Sequence, residues 1–232
     1  MGTVIAVTSG KGGTGKTSIT GGVAASLALM GHTVLCIDMD IGLRNLDITL
    51  GLSDRALMDF SDVALGRCPL ARGAVDHPDV KGLSLLTAPM SLSPSLTIDK
   101  VRAMLDTARG QYDYILIDSP AGLGAGFRLA ICGADRALVI ATNDASSLRD
   151  AQRTVCELES IRQVHLIMNR IQPKLLRKLR ATIDDAMNTA GLPLIGVVPE
   201  DDQVMLAANL GQPLTAQGRR GAALACWNIA LR

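Results

Sequence analysis

Seven short runs rich in apolar and β-branched residues are spaced along the chain by longer stretches of helical pattern, and this alternation restricts the fold more than any other feature. The runs are Thr3 to Thr8, Thr33 to Ile37, Leu83 to Thr87, Tyr114 to Ile117, Ala137 to Ala141, Val164 to Met168 and Leu194 to Val198. A run that is apolar throughout has no side to turn to water, so each is expected as a strand covered on both faces. Strands alternating with helices mark βαβ units. The expectation is an α/β fold, a mostly parallel sheet between two layers of helices. The 232 residues can enclose one sizeable core and no linker-like stretch divides them, so residues 1–232 read as a single domain.

Such a sheet presents its ligand site at the carboxyl ends of its strands. Polar clusters do follow those ends: Ser9 to Thr17, Asp38 to Asn45, Asp118 to Gly124, Asn143 to Asp150, Asn169-Arg170 and Pro199-Glu200-Asp201. The first contains Gly10-Lys11-Gly12-Gly13-Thr14-Gly15-Lys16-Thr17, with the Gly-x4-Gly-Lys-Thr spacing of a phosphate-binding loop. Glycines let the backbone curl until its N–H groups surround phosphate oxygens. Lys16 then brings a point charge to the β and γ phosphates, and the Thr17 hydroxyl can take a place on Mg2+. The loop sits between a strand and the helical run Ser18 to Met30, the setting the motif requires. Gly10 through Ser18 are therefore the candidate phosphate contacts.

Asp38 and Asp40 come directly after the second run. A buried strand ending in two carboxylates needs cations or donors in compensation, and Mg2+ beside an attacking water would supply them. Asp118 closes the run Tyr114 to Ile117 in Asp118-Ser-Pro-Ala-Gly122-Leu-Gly124. It suits the Walker B role of holding Mg2+ through its water shell, and Gly122 can offer a backbone N–H to the γ phosphate. Thr17, Asp40 and Asp118 are thus the candidate metal residues. Read this far, the chain is a Mg2+-dependent nucleotide hydrolase with two lysines in its loop.

A plain phosphate loop has no need of Lys11. With that residue, Lys11-Gly-Gly-Thr-Gly-Lys16-Thr17 resembles the deviant Walker A motif of the MinD/ParA family of P-loop ATPases. The strings Asp38-Met-Asp40-Ile-Gly-Leu-Arg-Asn45-Leu-Asp47 and Asp118-Ser-Pro-Ala-Gly122 resemble the switch segments of its cell-division branch, and the likeness runs from Thr3 to about Pro213. The resemblance implies a homodimer in the ATP state, with Lys11 reaching the partner's phosphates and Lys16 and Asp40 completing the catalytic set. Asp40 would orient the hydrolytic water and Asn45 would lie on the dimer and nucleotide surface. Asn169, Arg170, Pro199, Glu200 and Asp201 fall where the family holds adenine. Asn143, Ser146, Ser147 and Asp150 resemble a segment near the dimer and partner surface, with helix capping by Ser146 as the other reading. The implied activity is slow, partner-stimulated hydrolysis of ATP to ADP and phosphate in placing the division septum, with MinC-like and MinE-like partners. A ParA-type DNA-partition ATPase or a flagellar-number regulator is the alternative. Iron–sulfur relatives need cysteines near the dimer axis, and no Cys-x-x-Cys occurs.

Formal net charge is +1, so contact with nucleic acid or lipid would rest on a local patch, and no nucleic-acid partner is expected. The segment Lys174-Leu-Leu-Arg177-Lys178-Leu-Arg180 is one such patch, read first as the solvated face of a helix. Cys36, Cys68, Cys132, Cys156 and Cys226 are odd in number and scattered among apolar neighbours, as buried thiols are. Met90 to Thr97 reads as a surface loop leading into a helix from about Ile98. Nowhere does an apolar run reach the ~20 residues of a spanning helix, and Met1 to Ile5 shows no leader pattern, so a cytoplasmic protein is expected. In the family, reversible attachment to the inner face of the cell membrane relies on a basic amphipathic helix at the C-terminus, and here it is expected only if such a helix follows Arg232. Ala225 to Arg232 reads instead as a helix packed on the core, with Leu224, Trp227 and Leu231 on one side.

Overall fold

The computed structural model describes residues 1–179 and 182–232. They form an eight-stranded sheet from β1 (Thr3–Thr8), β2 (Val34–Asp38), β3 (Val75–Asp76), β4 (Leu83–Leu86), β5 (Tyr114–Asp118), β6 (Arg136–Ala141), β7 (Gln163–Ile171) and β8 (Leu194–Pro199). The order across the sheet is β3-β4-β2-β5-β1-β6-β7-β8. Every pairing is parallel except that of β3, a two-residue edge strand antiparallel to β4. All seven expected strands are present; β5, β6 and β8 are longer by a residue at one end and β7 is longer at both, while β2 is shifted by one residue and β4 is shorter by one. β3 was not expected, because two residues are too few to carry a period.

One helical layer holds α1 (Lys16–Leu29), α2 (Leu46–Leu50), α10 (Asp202–Asn209) and α11 (Gly221–Ala230). The other holds α3 (Phe60–Ala64), α4 (Leu70–Gly73), α5 (Ile98–Arg109), α6 (Ala125–Ile131), α7 (Ala145–Cys156), α8 (Pro173–Leu179) and α9 (Ile183–Ala190). Alternate strand residues serve the two layers. Val7, Leu116, Ile140 and Ile167 face the first, while Val4, Ile115, Val139 and Met168 face the second. Each fully buried aliphatic side chain contributes about 1.5–3 kcal/mol, which is why the runs are mostly apolar, with Ser84 in β4 and His165 in β7 as polar residues inside them.

α11 packs on the core, but not by the expected face. Ala222, Ala223, Cys226 and Ile229 are buried, whereas Leu224 and Leu231 are exposed. The reason is the closeness of α1: a Cβ added at Gly22 would stand 2.7 Å from Cys226 Sγ, so small residues line the contact and the leucines are turned out. Cys36, Cys68 and Cys226 are buried thiols, Cys132 is half-buried and Cys156 exposed. The helix expected from Ile98 begins there, with the Thr97 hydroxyl accepting from the Lys100 N–H. Among the described residues no helix is long and apolar enough to cross a membrane.

The end of α2 is fixed from two sides. His77 Nε2 meets the Leu50 carbonyl at 2.9 Å, while its Nδ1 accepts from the N–H groups of Asp79 and Val80, both at 3.0 Å. Those partners assign a neutral ring with its proton on Nε2. Burial pushes the imidazole below its ordinary value, against the opposing pull of the Leu50 carbonyl. On the other side Gly51 closes the helix with φ +70°, and a Cβ there would lie 2.0 Å from the Gly211 carbonyl oxygen. Gly51→Ala is therefore expected to cost about 2 kcal/mol or more in urea unfolding; a loss below ~0.5 kcal/mol would mean the two segments separate freely. His77 binds a proton more readily in the unfolded chain, near pH 6.5, than in the fold, so stability should fall as pH drops below that value. The fall between pH 7.5 and 5.5 should shrink in His77→Gln, and an undiminished fall would assign it to other groups.

Candidate nucleotide and metal site

β1 lies between β5 and β6 and delivers residues 9–15 to the start of α1. Gly13 and Gly15 hold φ of +78° and +92°, where an L side chain is strained. Gly10 is required for another reason. A Cβ there would stand 2.4 Å from the Asp150 carbonyl oxygen, so the loop touches α7 through bare backbone. Lys16 is buried, its Nζ donating to Ser9 Oγ at 3.0 Å, and Ser9 Oγ donates in turn to the Lys11 carbonyl at 2.6 Å. The buried Thr14 hydroxyl finds no partner among the described residues. A curled backbone, a buried ammonium and an orphaned hydroxyl together suit an oxygen-rich anion.

The register of β2 on β5 sets Asp38 opposite Asp118, both buried. Asp38 accepts from the N–H groups of Asp40 at 2.8 Å and Leu46 at 3.1 Å, so one carboxylate pins both ends of the loop that carries Asp40. Asp118 is approached by the Thr20 hydroxyl at 3.4 Å. Burial raises Asp38 to about 6, partly offset by those two N–H groups. It raises Asp118 to about 7, with the Thr17 hydroxyl and Lys16 opposing and Asp38 reinforcing. Asp40 also rises by burial, against Lys16, while burial lowers Lys16 against the charges of Asp118 and Asp40. Asp118 and Asp40 thus share one ammonium, and all three carboxylates are displaced toward their neutral forms. The pocket is short of positive charge.

A divalent cation would correct that deficit. No group of three or more His, Cys, Asp and Glu side chains gathers at metal distance among the described residues. A protein that offers so few ligands leaves the other positions to water and phosphate, which suits Mg2+ better than a metal needing a protein cage. The residues present therefore fit Mg2+ in company with a phosphate ligand.

Beyond Gly15 opens a cavity of about 400 Å3 in which Ser18, Asn169, Arg170, Pro199, Glu200 and Asp201 converge, with Ile19, Val198 and Leu214 as apolar wall. Segments far apart in sequence meet here because β7 and β8 end side by side next to the phosphate loop. The pairing of β7 with β8 slips between Met168 and Ile171, and Arg170 takes φ +55°. Asn169 Nδ2 donates to the Thr14 carbonyl at 2.8 Å, a tie to the phosphate loop that no local pattern announces. The Asp201 carboxylate accepts from the N–H groups of Gln203 at 3.0 Å and Ala222 at 2.9 Å, so it anchors the starts of α10 and α11. Glu200 accepts from the Gln172 amide. Gly122 has φ +82° and faces open space, and Asn45 is exposed on the loop after β2.

Lys11 lies on the outer side of the loop. Its Nζ is 2.9 Å from Ser146 Oγ and 3.4 Å from Asp144 Oδ1, at the start of α7 in the same chain. The cap of that helix is Asp144, which accepts from the Ser147 N–H at 2.9 Å, and not Ser146 as the sequence allowed. Burial works against the charge of Asp144. Hydrogen bonds from Ser146, Thr142 and Ser147, with Lys11 nearby, outweigh it and hold the carboxyl well below its usual range. Lys174, Arg177 and Lys178 are exposed on α8, as a solvated face requires, and Arg180 lies outside the described residues.

This constellation has counterparts. Residues 5–214 match the CobQ/CobB/MinD/ParA nucleotide binding domain. The septum site-determining protein MinD of Helicobacter pylori is 41% identical over 225 residues, 92% of this chain and 84% of that protein. The MinC:MinD cell division protein complex of Aquifex aeolicus superposes with a TM-score of 0.91 at 36% identity, covering 99% of this chain and 94% of the other. MinD of Pyrococcus horikoshii, solved with Mg-ADP, gives 0.86 at 27% identity over 99% of this chain and 95% of the other. The chain belongs to the CobQ/CobB/MinD/ParA nucleotide-binding family and, within it, to the septum site-determining MinD proteins.

Proposed function

We propose that the chain is an ATPase of septum placement whose two copies close on Mg-ATP and part after hydrolysis. The observation that carries this reading is the division of labour between two lysines of one loop. Lys16 is buried beneath the phosphate cradle, and Lys11 stands exposed on its outer side. The contacts holding Lys11 in its own chain are solvent-exposed ones, of a kind worth ~0–1 kcal/mol. A triphosphate presented by a second copy would outcompete them.

In this reading the N–H groups of residues 12–16 and the Lys16 ammonium bind the β and γ phosphates. Thr17, Asp118 and Asp40 would hold Mg2+, which would supply charge that neutralises the phosphates. Asp40 also orients the attacking water, and Asp38 acts through it as a positioning residue by fixing its loop at both ends. Gly122 turns a backbone N–H toward the γ phosphate. Ser18, Asn169, Arg170, Pro199, Glu200 and Asp201 surround the adenine in the cavity beside the loop. The Pyrococcus protein solved with Mg-ADP supports the ligand, and the Aquifex complex supports a MinC-like partner. A MinE-like stimulator and slow basal turnover rest on the family resemblance. For DNA partition the described residues offer Lys174, Arg177 and Lys178 on one short helix, a small electrostatic footprint for duplex binding.

Lys11→Ala should leave Mg-ATP affinity within about threefold of wild type while hydrolysis and ATP-dependent dimerisation each fall at least about tenfold, read by calorimetry, phosphate release and sedimentation. Wild-type turnover and dimerisation in that variant would remove Lys11 from the neighbouring site. Asp40→Ala should slow hydrolysis by about a hundredfold or more and trap an ATP-bound dimer. Normal hydrolysis there would assign the water to another residue.

A further inference from the structure

A cleft of about 780 Å3 lies at the end of the sheet opposite the phosphate loop, over the amino ends of β1, β6 and β7 and between the last turns of α1 and α11. Its floor is aliphatic, made by Ile5, Val23, Leu27, Leu138 and Ile229. These belong to the core, yet they keep 3–8% exposure where Val7 and Ile167, farther along the same sheet face, have none.

The rim is basic. Arg136 opens β6, Arg162 precedes β7, and His165 sits within β7 on the face of Ile167. Among the described residues no Asp or Glu side chain lines the cleft. Among the described residues none of these three side chains has an ion-pair or hydrogen-bond partner. The neighbouring acid, Asp135, is already engaged by Arg109, at 2.6 Å from Nη1 and 3.0 Å from Nη2. α1 and α11 turn their carbonyl ends toward the cleft, but each carries only about half a negative charge, which fades within a turn. Two guanidinium groups outweigh it.

We propose that this cleft binds an anionic amphiphile, with an alkyl chain on the aliphatic floor and a phosphate or carboxylate head between Arg136 and Arg162. Planar guanidinium groups bind such heads with paired, charge-assisted hydrogen bonds, and the volume falls in the ~300–1,000 Å3 range of small-molecule sites. The head could belong to a soluble molecule or to a lipid of a bilayer, and both present the same chemistry to the cleft.

Calorimetry of the whole chain with monomeric dodecyl phosphate, dodecyl maltoside and inorganic phosphate tests the proposal. One dodecyl phosphate per chain is expected, with neither control binding comparably. Arg136→Gln combined with Arg162→Gln should weaken it at least about tenfold, and Ala230→Trp, which fills the floor from a half-exposed position, should do likewise. Both variants should keep the wild-type thermal midpoint and Mg-ADP affinity, since they lie at the far end of the sheet. Capture by phosphatidylglycerol vesicles that the double variant loses would assign the head to a bilayer. Dodecyl phosphate binding without such capture would assign it to a soluble amphiphile. Equal affinity for the maltoside or for inorganic phosphate, or an undiminished affinity in the double variant, overturns the proposal.

Discussion

Asp38 and Asp118 end neighbouring strands side by side and buried, and the rest of the site answers their charge. Adjacent strands lie only ~4.8 Å apart, so two ionised carboxylates there repel in a medium that screens poorly. The fold supplies backbone N–H groups to Asp38, hydroxyls to Asp118 and a single ammonium that acts on Asp118 and Asp40. Among the described residues Lys16 is the one buried Lys or Arg side chain. α1 begins at Gly15 with no side-chain cap, as α2, α4, α6 and α11 also begin without one from their N-cap residue. Uncapped N–H groups carry partial positive charge, and here they face the same space as Lys16. The site by itself is therefore unbalanced in two ways, with bare donors on one side and excess carboxylate on the other. A metal-bound phosphate chain has the charge distribution that resolves both.

Lys11 shows how a small energy can hold a residue without committing it. Its ammonium rests on Asp144 and Ser146, which are themselves joined to each other and to Thr142 in the cap of α7. The cap is complete without Lys11, so moving the lysine away leaves no buried group unsatisfied. This differs from Lys16, whose departure would strand Asp118 in the core. Gly10 adds to the contrast. It brings the loop against the backbone of α7, so the same helix that receives Lys11 also fixes the height of the loop.

What was legible in the sequence follows from whether the cause is local. Strands buried on both faces show as predominantly apolar runs, and the phosphate loop shows because its glycines, lysines and threonines act within eight consecutive residues. The carboxylates at strand ends were readable for the same reason. Lys11 with Asp144 and Asn169 with Thr14 were not, because they join residues 133 and 155 positions apart and depend on which strands become neighbours. The buried face of α11 was missed for a different reason. Hydrophobicity favours its leucines, but interhelical distance decides, and that distance is set by Gly22 on another helix. The polar residues around the cavity beside Gly15 were placed together by family likeness, and the geometry adds that the Asp201 carboxylate is already occupied by two N–H groups.

α11 links the two ends of the molecule. Its first turn is bound to Asp201 beside the cavity next to the phosphate loop, Cys226 lines that cavity, and Ile229 and Ala230 line the basic cleft. Ten residues of helix span about 15 Å, so one rigid element borders both spaces. Close-packed interiors do not deform gradually, and a helix seated on Gly22 through a sulfur atom has little room to bend. Events at one end can reach the other only if α11 shifts as a body along α1. The contact between Gly22 and Cys226 resists that shift, because any larger residue at either position would already force the helices apart. Charge balance at the phosphate end and the unpaired arginines at the far end are thus separate features, joined by one helix that small side chains hold in place.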